Sequence, residues 1–270
     1  MIVAVIAAQR RNLILEMLRA EGGVSIRALA KRLDTSAVTV RRDLDYLDSI
    51  GMLSRTHGGA VYGQAARETS YTEKTGQAMA EKSAIGKTAA ALVNDGDVIA
   101  IGPGTTTAEL ARELRNREAL TVVTNSLPVA QTFVECAEIQ VIMTGGTLRA
   151  SILALVGDAT VNTFRGVHVD WGFLSGNGLV ADFGLSTPNM TVADADRAIA
   201  ASAERIVVLA DHTKLGQRTA IQTVPSDRIA TLVTDADSRP DEIEALERAG
   251  VEVRIASIGF GQGSGHLDRF

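Results

Sequence analysis

A single cysteine, Cys136, in a chain of 270 residues rules out an intramolecular disulfide and any zinc site built on cysteines. Long apolar runs are missing as well. The stretch 2–8 is far too short to span a bilayer, and no basic residue precedes it as in a secretory signal. These absences predict a cytoplasmic protein. Positive charge is also short: 27 Lys and Arg face 32 Asp and Glu, a formal net charge of −5. That balance excludes a chain that coats nucleic acid over its whole surface. No internal repeat is visible, and no metal or other cofactor is expected.

What remains is ordinary for a soluble globular protein, with 46% hydrophobic and 22% charged residues. The charge is unevenly spread. Residues 1–62 carry nine Lys/Arg and six Asp/Glu, a net of +3, whereas 63–270 carry eighteen and twenty-six, a net of −8. A basic head on an acidic body suits one module that meets phosphates and one that does not. The expected division is a head over 1–62, a linker over 63–80 with Gly63–Ala66 at its heart, an α/β body over 81–257 and a glycine-rich tail over 258–270.

In the head, Leu13, Ile14, Met17 and Leu18 recur at helical spacing and predict a helix over 9–20 that Gly22-Gly23 stops. Ser25 stands as N-cap of a short second helix whose stripe is Ile26, Leu29, Ala30 and Leu33. After Asp34-Thr35, Ser36 caps a third helix that buries Val40, Leu44 and Leu47 and turns Thr39, Arg41, Arg42 and Asp45 outward. Two short helices joined by a tight turn, the second with paired arginines, form a helix-turn-helix. Its first turns suit the major groove, where Ser36, Thr39, Arg41 and Arg42 meet base edges and phosphates. Arg55-Thr56-His57-Gly58-Gly59-Ala60 then turns a β-hairpin wing. His57 equally suits a structural place in that wing.

The body alternates apolar strands (98–101, 120–124, 139–143, 169–174, 206–209, 232–234, 251–255) with helices (81–93, 106–115, 128–135, 192–203, 241–249). That rhythm predicts a mostly parallel sheet covered on both faces, with ligands at the carboxyl ends of its strands. The first strand runs into Gly104-Thr105-Thr106-Thr107, which opens a helix and makes an anion site. The second ends in Thr124-Asn125-Ser126 and the third in Gly145-Gly146-Thr147, followed by Arg149. Three such ends side by side predict a polar floor for a phosphate and sugar hydroxyls. Asn177, Asp211 and Lys214, at later strand ends, join the expected rim. Each loop also has a plainer reading, as a helix cap, a turn or a surface lysine.

The run SAVTVRRDLDYLDSIGMLSRTHGGAV, residues 36–61, resembles the N-terminal signature of DeoR-family repressors: a Thr-hydrophobic-Arg-Arg-Asp-Leu helix followed by an Arg-x-His-Gly-Gly-Ala wing. The resemblance implies that Ser36, Thr39, Arg41, Arg42, Arg55 and His57 belong to the DNA face. The body is similar to the family's sensor domain in Gly104-Thr105-Thr106, Thr124-Asn125-Ser126, Gly145–Arg149, Gly157-Asp158-Ala159 and Ala210–Gly216. It implies a fold related to ribose-5-phosphate isomerase and glucosamine-6-phosphate deaminase, and binding of phosphorylated sugars or polyols. It further implies a homodimer or homotetramer. The chain departs from the family where Gly102-Pro103 replaces a usual Asp. It departs again at Ser175-Gly176-Asn177-Gly178, and at Val192 and Asp196-Arg197, where a Glu and a Lys-Arg pair are usual.

The expectation is a repressor of a carbohydrate or polyol operon, bound to double-stranded operator DNA and gated by a phosphorylated metabolite. The alternative is a sugar-phosphate isomerase or deaminase carrying a DNA-binding head. That chemistry needs a base beside the substrate carbon, and Gly102 and Val192 remove two natural places for one. Asp170 and Asp211 remain as candidates, although Asp170 equally suits a brace for the sheet.

Overall fold

A computed structural model describes residues 7–21, 23–49, 53–56, 58–61 and 70–257. The readings placed on His57, on 62–69 and on the tail 258–270 lie outside these residues. In the head, α1 (Ala7–Glu21), β1 (Gly23–Ser25), α2 (Ile26–Arg32), α3 (Ala37–Ser49), β2 (Ser54–Thr56) and β3 (Gly59–Val61) follow in order. The Ser25 hydroxyl accepts the Ala28 N–H at 3.2 Å, and the Ser36 hydroxyl accepts the Thr39 N–H at 3.1 Å. Both N-caps therefore stand where side-chain oxygens satisfy first-turn donors. The wing is antiparallel, with Arg55 opposite Ala60, and β1 adds a third strand through Val24 and Ala60. Ile14, Leu18, Leu29, Val40 and Leu44 are fully buried in the head's core.

α3 also carries a buried carboxylate. Asp43, 2% exposed, accepts from Arg10 Nε at 2.5 Å and Arg11 Nε at 2.9 Å, both on α1. Arg11 lies over the Tyr46 ring at 3.7 Å. α3 is thus fastened to α1 by charge as well as by apolar contact.

The body runs α4 (Tyr71–Thr75), α5 (Met79–Ala90), β4 (Val98–Ile101), α6 (Thr105–Glu113), β5 (Leu120–Thr124), α7 (Leu127–Thr132), β6 (Ile139–Met143), β7 (Thr147–Arg149), β8 (Ala154–Val156) and α8 (Asp158–Arg165). It continues with β9 (Val169–Leu174), β10 (Gly178–Val180), β11 (Gly184–Thr187), α9 (Met190–Ser202), β12 (Ala203–Leu209), β13 (Ile221–Val224), β14 (Thr231–Asp235), α10 (Pro240–Arg248) and β15 (Glu252–Ala256). The second half of the stretch expected as linker holds α4 and the start of α5. α4 opens with a capping box in which Ser70 and Glu73 satisfy each other's backbone N–H groups.

Seven strands form one sheet in the order β15-β14-β12-β9-β4-β5-β6, parallel throughout. Their residues alternate between two cores, as the two-residue period of a strand demands. Ile99, Ile101, Val122, Phe173 and Val207 face Ile85, Leu110 and Phe133 of the α5–α7 layer. Ala100, Val123, Leu174, Ile206 and Val208 face Phe164, Ile199 and Leu246 of the α8–α10 layer. Two smaller antiparallel units, β7-β8 and β10-β11-β13, have no counterpart in the apolar pattern. The chain moves outward from β4 through β5 to the edge at β6, then returns to the other side of β4 as β9. The order reverses between β4 and β9, and a crevice opens beyond their carboxyl ends.

Candidate functional site

A pocket occupies that crevice. Its empty volume, open mouth included, is about 620 Å³. Pro103, Gly104, Thr105 and Thr106 come from the turn into α6, and Ser175, Gly176 and Asn177 follow β9. Thr187 of β11, Val192 and Asp196 of α9, and Asp211 and Lys214 beyond β12 form the far side. Tyr71 and Lys74 of α4, Lys82 of α5 and Ile152 of the β7-β8 turn complete the lining.

The start of α6 presents groups that can accept an anion. Gly104 as N-cap brings no side-chain hydrogen bond to the helix, so the first N–H groups point outward without intrahelical partners. Thr105 and Thr106 are 7% and 3% exposed, and neither hydroxyl has a partner among the described residues. Two cations stand nearby. Lys82 is buried, and burial foremost pushes its ammonium below the usual lysine range, opposed by Asp211 and reinforced by Lys214. Lys214 Nζ donates to Thr213 Oγ1 at 2.9 Å. Asp211, 1% exposed, accepts the Thr213 N–H at 3.0 Å and the Thr213 hydroxyl. Burial also raises the Tyr71 phenol above its usual value. A carboxylate only accepts hydrogen bonds, so Asp196 and Asp211 suit ligand hydroxyls while the α6 start and lysines suit an anionic head.

Of the effector residues expected from the sequence, the pocket gathers Gly104, Thr105, Thr106, Asn177, Asp211 and Lys214. Thr107 is buried, and its hydroxyl donates to the Gly104 carbonyl at 3.1 Å. Thr124, Asn125 and Ser126 are fully buried outside the pocket. Thr124 donates to the Ile101 carbonyl at 2.6 Å, Asn125 Nδ2 to the Leu155 carbonyl at 2.9 Å, and Ser126 caps α7. Gly145 and Gly146 lead into β7, and the Gly145 carbonyl accepts the Thr160 hydroxyl of α8 at 2.7 Å. Gly146 has φ +132°, where a Cβ would lie 2.5 Å from Thr160 Oγ1. Thr147 and Arg149 form part of β7 and stand outside the pocket too. The physical reason is the strand order. The switch point falls between β4 and β9, while the β7-β8 hairpin packs onto the end of β5 through Asn125.

Tyr71, Lys74, Lys82 and Ser175 were not among the expected residues. Lys82 was the most legible, since it precedes Ile85 and Ala89 by three and seven positions and so shares their buried face. A Cβ at Gly102 would sit 2.9 Å from Leu174 Cδ2 and 3.3 Å from Ile199 Cδ1, so a side chain there would require those side-chain ends to shift. Asp170 lies at the opposite, amino end of β9, where it accepts the Val98 N–H at 2.8 Å. His212, Asp235 and Asp237 bring three potential metal ligands within 4.8 Å of one another. The Asp235 oxygens there accept the N–H groups of His212 and Asp237, which braces the loop.

On α3, Arg41 and Arg42 are exposed and pair with no carboxylate among the described residues. Ser36 and Thr39 hydroxyls lie 2.9 Å apart at the start of the helix. Val38, 55% exposed on the same outward stripe, is a further surface group of the type that meets thymine methyls. Arg55 lies in β2 of the wing.

Two profiles of known families match the chain. The DeoR-like helix-turn-helix domain matches residues 10–65, and the DeoR C terminal sensor domain matches residues 77–236. The chain belongs to the DeoR family of transcriptional regulators. Among its relatives, the uncharacterized HTH-type transcriptional regulator YgbI of Escherichia coli K12 is 34% identical over 252 residues, covering 93% of this chain and 98% of that protein. The HTH-type transcriptional regulator GlpR of Haloferax volcanii is 35% identical over 247 residues, covering 91% and 96%. Solved structures align more loosely. Ribose 5-phosphate isomerase A of Methanocaldococcus jannaschii gives a TM-score of 0.37 at 22% identity over 49% of this chain and 52% of that one, too loose to argue from. No helix among the described residues is long and apolar enough to cross a membrane.

Proposed function

We propose that this DeoR-family regulator is a repressor whose α3 and wing bind operator DNA and whose pocket binds a phosphorylated sugar or polyol. The observation that supports the ligand class is the start of α6, where outward N–H groups and the unpartnered Thr105 and Thr106 hydroxyls meet Lys82 and Lys214. A phosphate takes several such donors at once. The buried Asp196 and Asp211 then accept hydroxyls from the remainder of the ligand. Operator binding rests on Ser36, Thr39, Arg41, Arg42, Arg55 and His57, with two or four copies of the chain matching the symmetry of the site.

Thermal shift against sugar phosphates and polyol phosphates tests the pocket, because a ligand bound only by the folded state raises the melting temperature. The expected result is a shift with at least one phosphorylated compound and none with its unphosphorylated parent. Equal shifts with both would refute the anion reading. Two buried carboxylates beside a buried lysine also favour a second reading, sugar-phosphate isomerisation or deamination. Steady turnover of a sugar phosphate by the purified chain would replace the sensor reading with that one.

A further inference from the structure

α4 links the pocket to the segment that follows the winged helix. It begins ten residues beyond the end of β3, after 62–70, and is five residues long. None of those five is fully buried, although Tyr71 and Lys74 are half-buried, so polar ties add to the small area that holds it in place. One tie is the Tyr71 N–H, which donates to the Ser151 carbonyl at 2.7 Å. The other end is held from α5: Lys82 Nζ donates to the Lys74 carbonyl at 2.7 Å and the Gln77 carbonyl at 2.6 Å. The Lys74 carbonyl lies in the last turn of α4, and Gln77 directly follows the C-cap Gly76. An ammonium has three donors. Lys82 spends two on the end of α4 and also lines the pocket beside Thr105 and Thr106.

We propose that Lys82 is a positioning residue that couples ligand in the pocket to the docking of α4, and so passes occupancy to the chain leading to the DNA-binding head. The inference rests on the pocket being an anion site. An anion at the start of α6 offsets the desolvation that Lys82 suffers and stabilises its charged form. The same charge strengthens its bonds to the Lys74 and Gln77 carbonyls, because charge-assisted hydrogen bonds are the stronger kind. Tyr71 and Lys74 line the pocket directly, so a ligand meets docked α4 and released α4 with different affinity. That difference sets how far it shifts the docking equilibrium, and docking changes ligand affinity by the same factor.

Amide hydrogen exchange on the full chain, with inorganic phosphate as probe, tests the coupling. Phosphate is expected to slow exchange at residues 105–108 and, by about tenfold, across residues 72–78. In Lys82→Met, saturating phosphate should still protect 105–108 but no longer protect 72–78. A second variant guards against misfolding of the first. Ser70→Ala removes the α4 cap outside the pocket and should weaken phosphate binding about two- to fivefold. Protection of 105–108 without any change at 72–78 in the wild type would overturn the coupling and leave the anion site standing. No protection at either segment would overturn both. Retained protection of 72–78 in Lys82→Met would remove Lys82 from the role, and unchanged phosphate affinity in Ser70→Ala would separate docking from binding.

Discussion

Thr106 is 3% exposed with an unpartnered hydroxyl in the pocket, whereas Asn125 is fully buried and its Nδ2 donates to the Leu155 carbonyl. Thr106→Val keeps the shape and loses only a hydroxyl that has no partner among the described residues. Stability should stay within about 0.5 kcal/mol, while affinity for the phosphorylated ligand falls by about 1–3 kcal/mol; denaturant melts and calorimetry separate the two. Asn125→Ala should do the reverse, costing about 1–3 kcal/mol of stability with ligand affinity unchanged. In the sequence both residues follow an apolar strand and look alike, because a strand end does not state what lies above it. Lys82 adds a pH signature. Its folded pKa is depressed, first by desolvation and then by Lys214, against the pull of Asp211, Glu109 and Glu81. Between that value and the ordinary lysine pKa the unfolded chain holds more protons than the folded one, so stability rises with pH there. Denaturation of wild type and Lys82→Met across the alkaline range should show a steeper rise in the wild type, and parallel slopes would contradict it.

α6 owes its position to α5. A Cβ at Gly86 would lie 2.8 Å from the Glu109 carbonyl carbon and the Leu110 nitrogen, so the two helices touch backbone to backbone. Gly86→Ala should cost about 1–3 kcal/mol by overpacking and, by shifting the start of α6, also weaken ligand binding. Full ligand affinity in a destabilised variant would show that the site does not depend on this packing. In the head, Asp43→Ala should cost about 1.5–3 kcal/mol, since Arg10 and Arg11 share it as their charged acceptor. Helix and strand identities were legible wherever apolar period was strong, and β4, β5, β6 and β9 match their expected bounds. α4 escaped notice because its capping box leads into no apolar run. The β10-β11-β13 sheet escaped because three- and four-residue strands carry too little period to read.

At the scale of the molecule, a basic head and an acidic body fall on two modules with separate cores. Arg41 and Arg42 stand exposed on the head, so the double alanine variant should lose operator binding in gel-shift assays while its sensor still shows a ligand-induced thermal shift. Each single variant that removes a phosphate-binding cation should reduce the salt slope of log affinity by about one. The two-part DNA-binding signature, the mostly parallel sheet and the threonines at the start of α6 were determined by the sequence alone. Capping, period and paired charge are local properties, written within one or two helical turns. Which strand ends line the pocket was decided only by the tertiary structure. The reversal of strand order between β4 and β9 and the β7-β8 hairpin over β5 depend on pairing between residues far apart in the chain. That pairing moved the pocket away from Thr124–Ser126 and Gly145–Thr147 towards Ser175, Asp196 and Lys82.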